Sequence, residues 1–263
     1  MQKSELIVLK IGGKIVDEDN LLGKVLEDFS AWNVPKILVH GGGKIATEIG
    51  HRLGIEAKMH NGRRITDQPT LQVVTMVYGG LINKAIVAKL QSLGIQALGV
   101  TGADLDIIRA QKRSPQPIDF GFVGDITCIN VPILQKLLEW KITPVFAPLT
   151  HDGKGNLFNT NADTIAQEVA VALSQYYEVK LIYSFEKKGV LSNPNDEESY
   201  IRFINTASYK QLLSSGIISG GMIPKMENAF EALKRGIASV MIVQADYLKS
   251  VREEEFIGTK ITL

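Results

Sequence analysis

The chain has 263 residues, 45% hydrophobic and 22% charged, with 29 Lys plus Arg against 28 Asp plus Glu for a formal charge of +1. That balance argues against a dedicated DNA-binding protein and against a polybasic membrane-surface protein, and the single cysteine, Cys128, excludes an intramolecular disulfide framework or a multi-cysteine zinc site. No stretch approaches ~18 uninterrupted apolar residues and no cleavable apolar leader follows Met1, so a cytoplasmic protein without a membrane span is expected.

Leu6 to Ile11 is an apolar run of strand length, interrupted by Lys10 and ended by Gly12-Gly13. Leu21, Leu22, Val25, Leu26 and Phe29 have helical spacing over 20–32, and Pro35 ends the connection. A second strand, Lys36 to His40, stops at Gly41-Gly42-Gly43, and Ile45, Ile49 and Leu53 define one face of the helix after it. A long helix is expected over 70–93, with Val73, Val74, Val77, Leu81, Val87 and Leu90 apolar, then a short strand over 97–100 that ends at Thr101-Gly102. Pro and Gly between 115 and 125 predict loops and hairpins. A helix over 131–140, a buried strand over 143–149 and a helix over 164–173 follow. The last third alternates again: strand 179–183, helix 207–213, a glycine turn at Ser219-Gly220-Gly221-Met222, helix 224–235, strand 239–243 and a final edge strand over 258–263. Cys128 reads as a small buried apolar residue.

Strands alternating with helices from end to end predict an α/β sandwich around a mostly parallel sheet. A boundary near residue 179 would divide two lobes, about 1–178 and 179–263. In such sheets ligands bind beyond the carboxyl ends of the strands, where the glycine turns lie. Backbone N–H groups in these turns can hold an anion without any side chain. The P-loop pattern is absent, because Gly13-Lys14 is followed by Ile15. Gly41, Gly43 and Ala46 fit the weaker dinucleotide signature, but Glu56 is too early and Asp67 too late for the ribose acid that signature needs.

Charged residues separate the readings. Lys10 either snorkels at an edge or aims its ammonium at the ligand zone. Lys225 opens a helix, where a cation opposes the macrodipole, whereas Asp163 in the first turn of its helix agrees with it. Arg63-Arg64 follow Asn61-Gly62 in a turn, where a guanidinium fork can clamp a carboxylate.

The segments Lys10-Ile11-Gly12-Gly13, His40-Gly41-Gly42-Gly43, Asn61-Gly62-Arg63-Arg64-Ile65-Thr66-Asp67, Asn159-Thr160-Asn161-Ala162-Asp163 and Gly220-Gly221-Met222-Ile223-Pro224-Lys225 occur in one order over the whole chain. In that combination the sequence resembles the amino acid kinase family, and within it the members that phosphorylate an N-acylated glutamate. The resemblance implies the family's αβα sandwich and transfer of the ATP γ-phosphoryl group to the side-chain carboxylate of N-acetyl-L-glutamate, giving N-acetylglutamyl 5-phosphate for arginine biosynthesis. It implies that Lys10 and Lys225 flank the migrating group and that Asp163 holds both ammonium groups. Gly42, Gly43, Arg64 and Asn159 would bind the acyl amino acid; Gly12, Gly13, Glu186, Gly189, Gly221 and Met222 would bind the nucleotide. Mg²⁺ would ride on the ATP phosphates, with no protein metal site. The histidines His40, His51, His60 and His151 show no ligand spacing, and His40 either orients its turn or is structural. Partners would be small molecules, not nucleic acid or membrane.

Two segments depart from the family. Where it reads roughly Ser/Thr-Asp-Val-x-Gly-Val, this chain has Phe185-Glu186-Lys187-Lys188-Gly189-Val190. Glu186 replaces the acid, Phe185 replaces a hydroxyl, and the two lysines either meet phosphates or form a solvated pair. Thr101-Gly102-Ala103-Asp104 differs from the family's loop near the acyl group, which makes N-succinyl-L-glutamate an alternative substrate. A non-catalytic binding module on the same fold is the rival from another class, and a dehydrogenase is a more distant one. Arginine-inhibited hexamers of the family carry an additional N-terminal helix; with a first strand at about Leu6, a homodimer weakly sensitive to arginine is expected, joined along the 70–93 helix.

Overall fold

The computed structural model describes residues 3–218 and 222–263. Its centre is an eight-stranded sheet in the order 203–204, 259–261, 239–244, 178–185, 5–11, 36–40, 143–146, 97–100. All neighbouring pairs are parallel except 239–244 with 259–261. The terminal strand is thus an inner one, antiparallel, and Phe203–Ile204 takes the edge that 258–263 was expected to form. The continuous apolar runs follow from burial on both faces: Leu6, Val8, Leu181 and Val240 pack into one core with helices Val131–Glu139, Ala162–Leu173 and Met222–Lys234. Ile7, Leu9, Ile11, Ile182 and Met241 pack into the other, with helices Asp19–Ser30, Gly43–Arg52 and the segment 68–92.

Strand alternation decides where the polar residues at the strand ends go. Lys10 shares parity with Leu6 and Val8, so it points toward the helices that carry Asp163 and Lys225. Tyr183, its register partner on the neighbouring strand, and Phe185 lie on that same face. His40 shares parity with Leu38 and points to the opposite layer, where it meets Asn83.

Helix Asp19–Ser30 is closed by a distant side chain. The buried Lys36 ammonium donates to the carbonyl oxygens of Phe29, Ser30 and Trp32 at 2.8, 2.9 and 2.7 Å. This supplies donors to groups that a helix C-terminus leaves bare, although burial lowers the ammonium pKa to about 8.

Three further features differ from the sequence expectations. Residues 68–92 form one continuous helical segment, but Thr75–Ile82 is a π-helix around Gly79-Gly80. A fifth residue per hydrogen-bonded loop shifts the apolar face, so Leu81 is exposed while Tyr78 and Ile82 are buried. The segment is long and apolar enough to span a bilayer, yet Leu71, Val74, Val77, Ile86 and Leu90 bury it against the sheet. The expected 143–149 strand breaks at Pro148 into Thr143–Phe146 and Leu149–His151; the latter joins Ile108–Lys112, Gly124–Ile129 and Leu157–Asn159 in a second, four-stranded sheet. Cys128 lies on that sheet and is exposed, not buried. The glycine turn expected at 219–221 lies outside the described residues.

Candidate active site

From strand 5–11 the chain winds one way to 36–40, 143–146 and 97–100, and the other way from 178–185 onward. The carboxyl end of 5–11 is therefore a topological switch point. Two glycine turns meet there. Gly41 N–H donates to Ile11 O at 3.2 Å, and Gly12 N–H donates to Ser184 O at 3.2 Å. Gly42 has φ +145°, and a Cβ on it would lie 2.2 Å from Ile82 Cδ1, so only glycine fits. No side chain caps helix Gly43–Arg52, and Gly41, Gly42 and Gly43 line the mouth of a cavity of about 370 Å³. Uncapped helix N–H groups facing a cavity favour an anion.

Behind the turn, His40 Nδ1–H donates to Gly41 O at 2.8 Å, and its Nε2 accepts from Asn83 Nδ2 at 3.2 Å. Asn83 also donates to Val145 O at 2.9 Å, which fixes its amide. Full burial pushes the imidazole down to about 4, so the ring is neutral at pH 7 and orients the Gly41 carbonyl.

The same cavity gathers side chains far apart in sequence. Asn161 caps helix Ala162–Leu173, accepting from the N–H groups of Asp163 and Thr164 at 2.7 and 3.1 Å. That places Asp163 in the first turn, and its Oδ1 lies 2.7 Å from the buried Lys10 ammonium. Lys225 lies in the first turns of helix Met222–Lys234 and lines the cavity with Asp163. The ammonium groups of Lys10 and Lys225 approach one ring, Phe185, at 4.9 and 4.8 Å from its centroid. Among the described residues Asp163 pairs with Lys10 and not with Lys225, so the expected bridge to both is drawn to one.

Arg64, which also lines the cavity, stands on the hairpin of Lys58–His60 with Arg63–Ile65. Its Nη2 donates to Gly43 O at 2.8 Å and Thr47 Oγ1 at 2.7 Å, locking hairpin to glycine turn. Asn159 Nδ2 donates to Thr66 Oγ1 at 3.1 Å. Beside them the cavity is lined by Arg63, Tyr78, Arg113 and Phe120, none of which sequence reasoning singled out as a site residue except the Arg63-Arg64 pair. Arg113 is held by Asp125, with Nη2 2.6 Å from Oδ1.

Other expected positions stand elsewhere. Glu186 is exposed and pairs with Lys14 at 3.3 Å. Gly189 lies against the last strand, where a Cβ would fall 2.4 Å from Thr259 Oγ1. Met222 packs at the margin of the sheet core, and Gly221 lies outside the described residues. Lys187 and Lys188 are committed to Glu197 and Glu198, and Lys188 also covers the Tyr247 ring. The loop Thr101–Asp104 closes on itself, Asp104 Oδ2 accepting from Thr101 N and Oγ1 at 2.6 and 2.8 Å, and is not part of the cavity wall. Among the described residues no three His, Cys, Asp or Glu side chains group as a metal site.

A family model for the amino acid kinases matches residues 5–244. The chain belongs to the amino acid kinase family. Among its relatives, the acetylglutamate kinase of Bacteroides fragilis is 55% identical over 243 residues, covering 92% of this chain and 93% of that one. That of Cytophaga hutchinsonii is 53% identical over 263 residues, 99% of each chain. A Streptococcus mutans structure aligns over 98% of both chains with a TM-score of 0.76 at 28% identity. The N-acetylglutamate synthase of Neisseria gonorrhoeae, solved with coenzyme A and N-acetyl-glutamate, shares the fold over all of this chain and 60% of its own, with a TM-score of 0.80 at 21% identity. The cavity brings together Lys225, Asp163, the Arg64 guanidinium and the glycine turn of Gly41, Gly42 and Gly43.

Proposed function

We propose that this protein transfers the γ-phosphoryl group of ATP to the side-chain carboxylate of N-acetyl-L-glutamate, giving N-acetylglutamyl 5-phosphate and ADP in arginine biosynthesis. The observation that carries the reading is the approach of Lys10 and Lys225 to one ring, Phe185, in the wall of a cavity that Arg64 also lines, in a chain 53% identical to an acetylglutamate kinase along 99% of its length.

A glutamate carboxylate has a reference pKa of about 4.3 and is ionised at neutral pH, so it attacks without a general base. The barrier is the repulsion between that carboxylate and the phosphoryl oxygens. Catalysis is then positioning and charge stabilisation. Arg64 and Asn159 hold the α-carboxylate end, the amides of Gly42 and Gly43 receive substrate or phosphoryl oxygens, and Lys10 and Lys225 offset charge on the group in flight. Asp163 keeps the Lys10 ammonium in place and leaves none of its own charge unpaired there. Residues 1–178 supply the amino-acid side and 179–263 the nucleotide side. The cavity's carboxylate, Asp163, is committed to Lys10, so we assign Mg²⁺ to the nucleotide phosphates and give it no protein cage. The enzyme is placed in the cytoplasm.

The acyl group is the finer question. Arg63 and Arg113 line the cavity with Arg64; Arg113 is paired with Asp125, so the added positive charge is that of Arg63, and it favours an acyl group that ends in a carboxylate, which makes N-succinyl-L-glutamate the second reading. A coupled ADP-release assay run with both substrates, with hydroxylamine trapping of the acyl phosphate, tests the proposal. Turnover of either with hydroxamate formation supports it, the ratio of kcat/KM names the acyl group, and no turnover of either defeats it.

We also propose a homodimer. Met76 and Leu81 on the 68–92 segment are 55% and 56% exposed, and Leu98 on the edge strand 97–100 is also exposed. Apolar side chains beside an uncovered sheet edge mark a surface that a second copy would cover.

A further inference from the structure

Phe185 closes the strand Glu178–Phe185, one residue after the Ser184 carbonyl that accepts from Gly12 N–H. Strand alternation puts its ring on the face of Tyr183, against which it stacks with centroids 5.9 Å apart and planes inclined by 12°. The stack is a rigid aromatic wall of the cavity. Over it come two cations from unconnected elements, Lys10 from the central strand at 4.9 Å and Lys225 from helix Met222–Lys234 at 4.8 Å.

Of the two ammonium groups on this ring only one has an ionic partner among the described residues: Asp163 lies 2.7 Å from Lys10, while no carboxylate is within ion-pair distance of Lys225. The negative face of an aromatic ring attracts a cation at these distances, by less than a carboxylate does. That difference suits a site which must hold two cations when empty and release them when a phosphoryl group arrives. A second carboxylate would hold Lys225 equally well, but its charge would also repel the incoming phosphate.

We infer that Phe185 is a positioning residue, whose π face keeps Lys10 and Lys225 convergent in the substrate-free enzyme and yields them to the phosphoryl group. The inference rests on the kinase reading for the identity of the travelling group; the placement of the lysines does not.

The test has two arms. In the wild-type protein with ¹³C-labelled lysine, the ε-methylene signals of Lys10 and Lys225, assigned with K10R and K225R, should be shifted upfield by the ring current. Addition of a non-hydrolysable ATP analogue should move them back. Unshifted signals in the wild type overturn the inference, and this arm needs no Phe185 variant to fold. In the second arm, F185L keeps size and apolarity but removes the ring. Its kcat should fall about tenfold, the scale of a partly desolvated cation–π contact, with KM for N-acetyl-L-glutamate changed by less than about twofold and F185Y restoring most of kcat. Wild-type kcat in F185L, or equal losses in F185L and F185Y, overturn it. A wild-type enzyme that turns over no N-acylglutamate, with shifted lysine signals, defeats the kinase reading and leaves the aromatic placement standing.

Discussion

Lys10 is 7% exposed and its ammonium lies 2.7 Å from Asp163 Oδ1, across a gap of more than 150 residues in sequence. Removing the carboxylate leaves a buried ammonium without its partner, whereas replacing Lys10 by an apolar side chain of similar length leaves Asp163, whose side chain is 43% exposed, in contact with water. The two single changes should therefore separate stability from activity. D163N should lower the melting temperature and cut kcat by about 10²–10³, the scale for one preorganised charge contact. K10M should cut kcat as far while keeping or raising the melting temperature. K225A should match the loss in kcat with little change in stability, because Lys225 is exposed. Calorimetry beside steady-state kinetics checks all three; wild-type kcat in K10M or K225A would remove these lysines from the chemistry.

Arg64 does two things at once: it lines the cavity and ties Gly43 O and Thr47 Oγ1 to the hairpin. Loss of a guanidinium that contacts a substrate carboxylate costs uniform binding, which appears in KM. R64A should raise KM for the acyl glutamate by about 10–100-fold, the range for a charge-assisted hydrogen bond of ~1.5–3 kcal/mol, and leave KM for ATP within about twofold. Equal increases in both constants would show that the glycine turn itself has come loose.

A dimer seated on the 68–92 segment should be disrupted by charge at its centre. Met76 and Leu81 are exposed in the single chain, so M76E and L81E should each leave folding unchanged within about 0.5 kcal/mol, as surface substitutions usually do. Each should shift the sedimentation coefficient from that of a dimer to that of a monomer. A wild-type protein that sediments as a monomer, or as a hexamer, would refute the assembly.

The sandwich was legible in the sequence because its strands are buried on both faces and read as unbroken apolar runs, as at Leu6–Ile11. The π-helical turn at Thr75–Ile82 was not, since an i→i+5 loop leaves the residue types unchanged and alters only which of them face inward. The second sheet escaped because its strands are three to six residues long and half exposed. In the site, Lys10 stood out as a charge in an apolar strand, and alternation alone assigns it the face of Tyr183 and Phe185. Arg113 and Tyr78 gave no comparable signal: one lies in an irregular segment and the other inside the π turn. Whether the lysines at 187 and 188 meet phosphates or form a solvated pair stayed open in the sequence because their partners, Glu197 and Glu198, are ten residues on, across a turn that only the fold closes.

His40 offers a prediction in which the sign of the pH effect can be worked out. Burial holds its folded pKa at about 4 against 6.5 for a free histidine, and its two ring nitrogens are matched to the neutral form: Nδ1–H donates to Gly41 O and Nε2 accepts from Asn83. Between those values the unfolded chain binds a proton that the native protein refuses, so stability falls as pH drops from 6.5 toward 4 and is insensitive to this group above 6.5. The full difference is of order 3 kcal/mol. Asp17 and Asp28, whose pKa values are raised by burial, work in the opposite direction at the acid end of the window, so the measurement is the difference between wild type and H40N in denaturant unfolding at a series of pH values. The variant has a constant offset from lost contacts but no titration at position 40. The gap between the two curves should narrow as pH falls through 6.5 to 4; a gap that stays constant would mean that His40 takes up a proton in the native protein as readily as in the unfolded chain, with the Asn83 amide oxygen turned toward the ring.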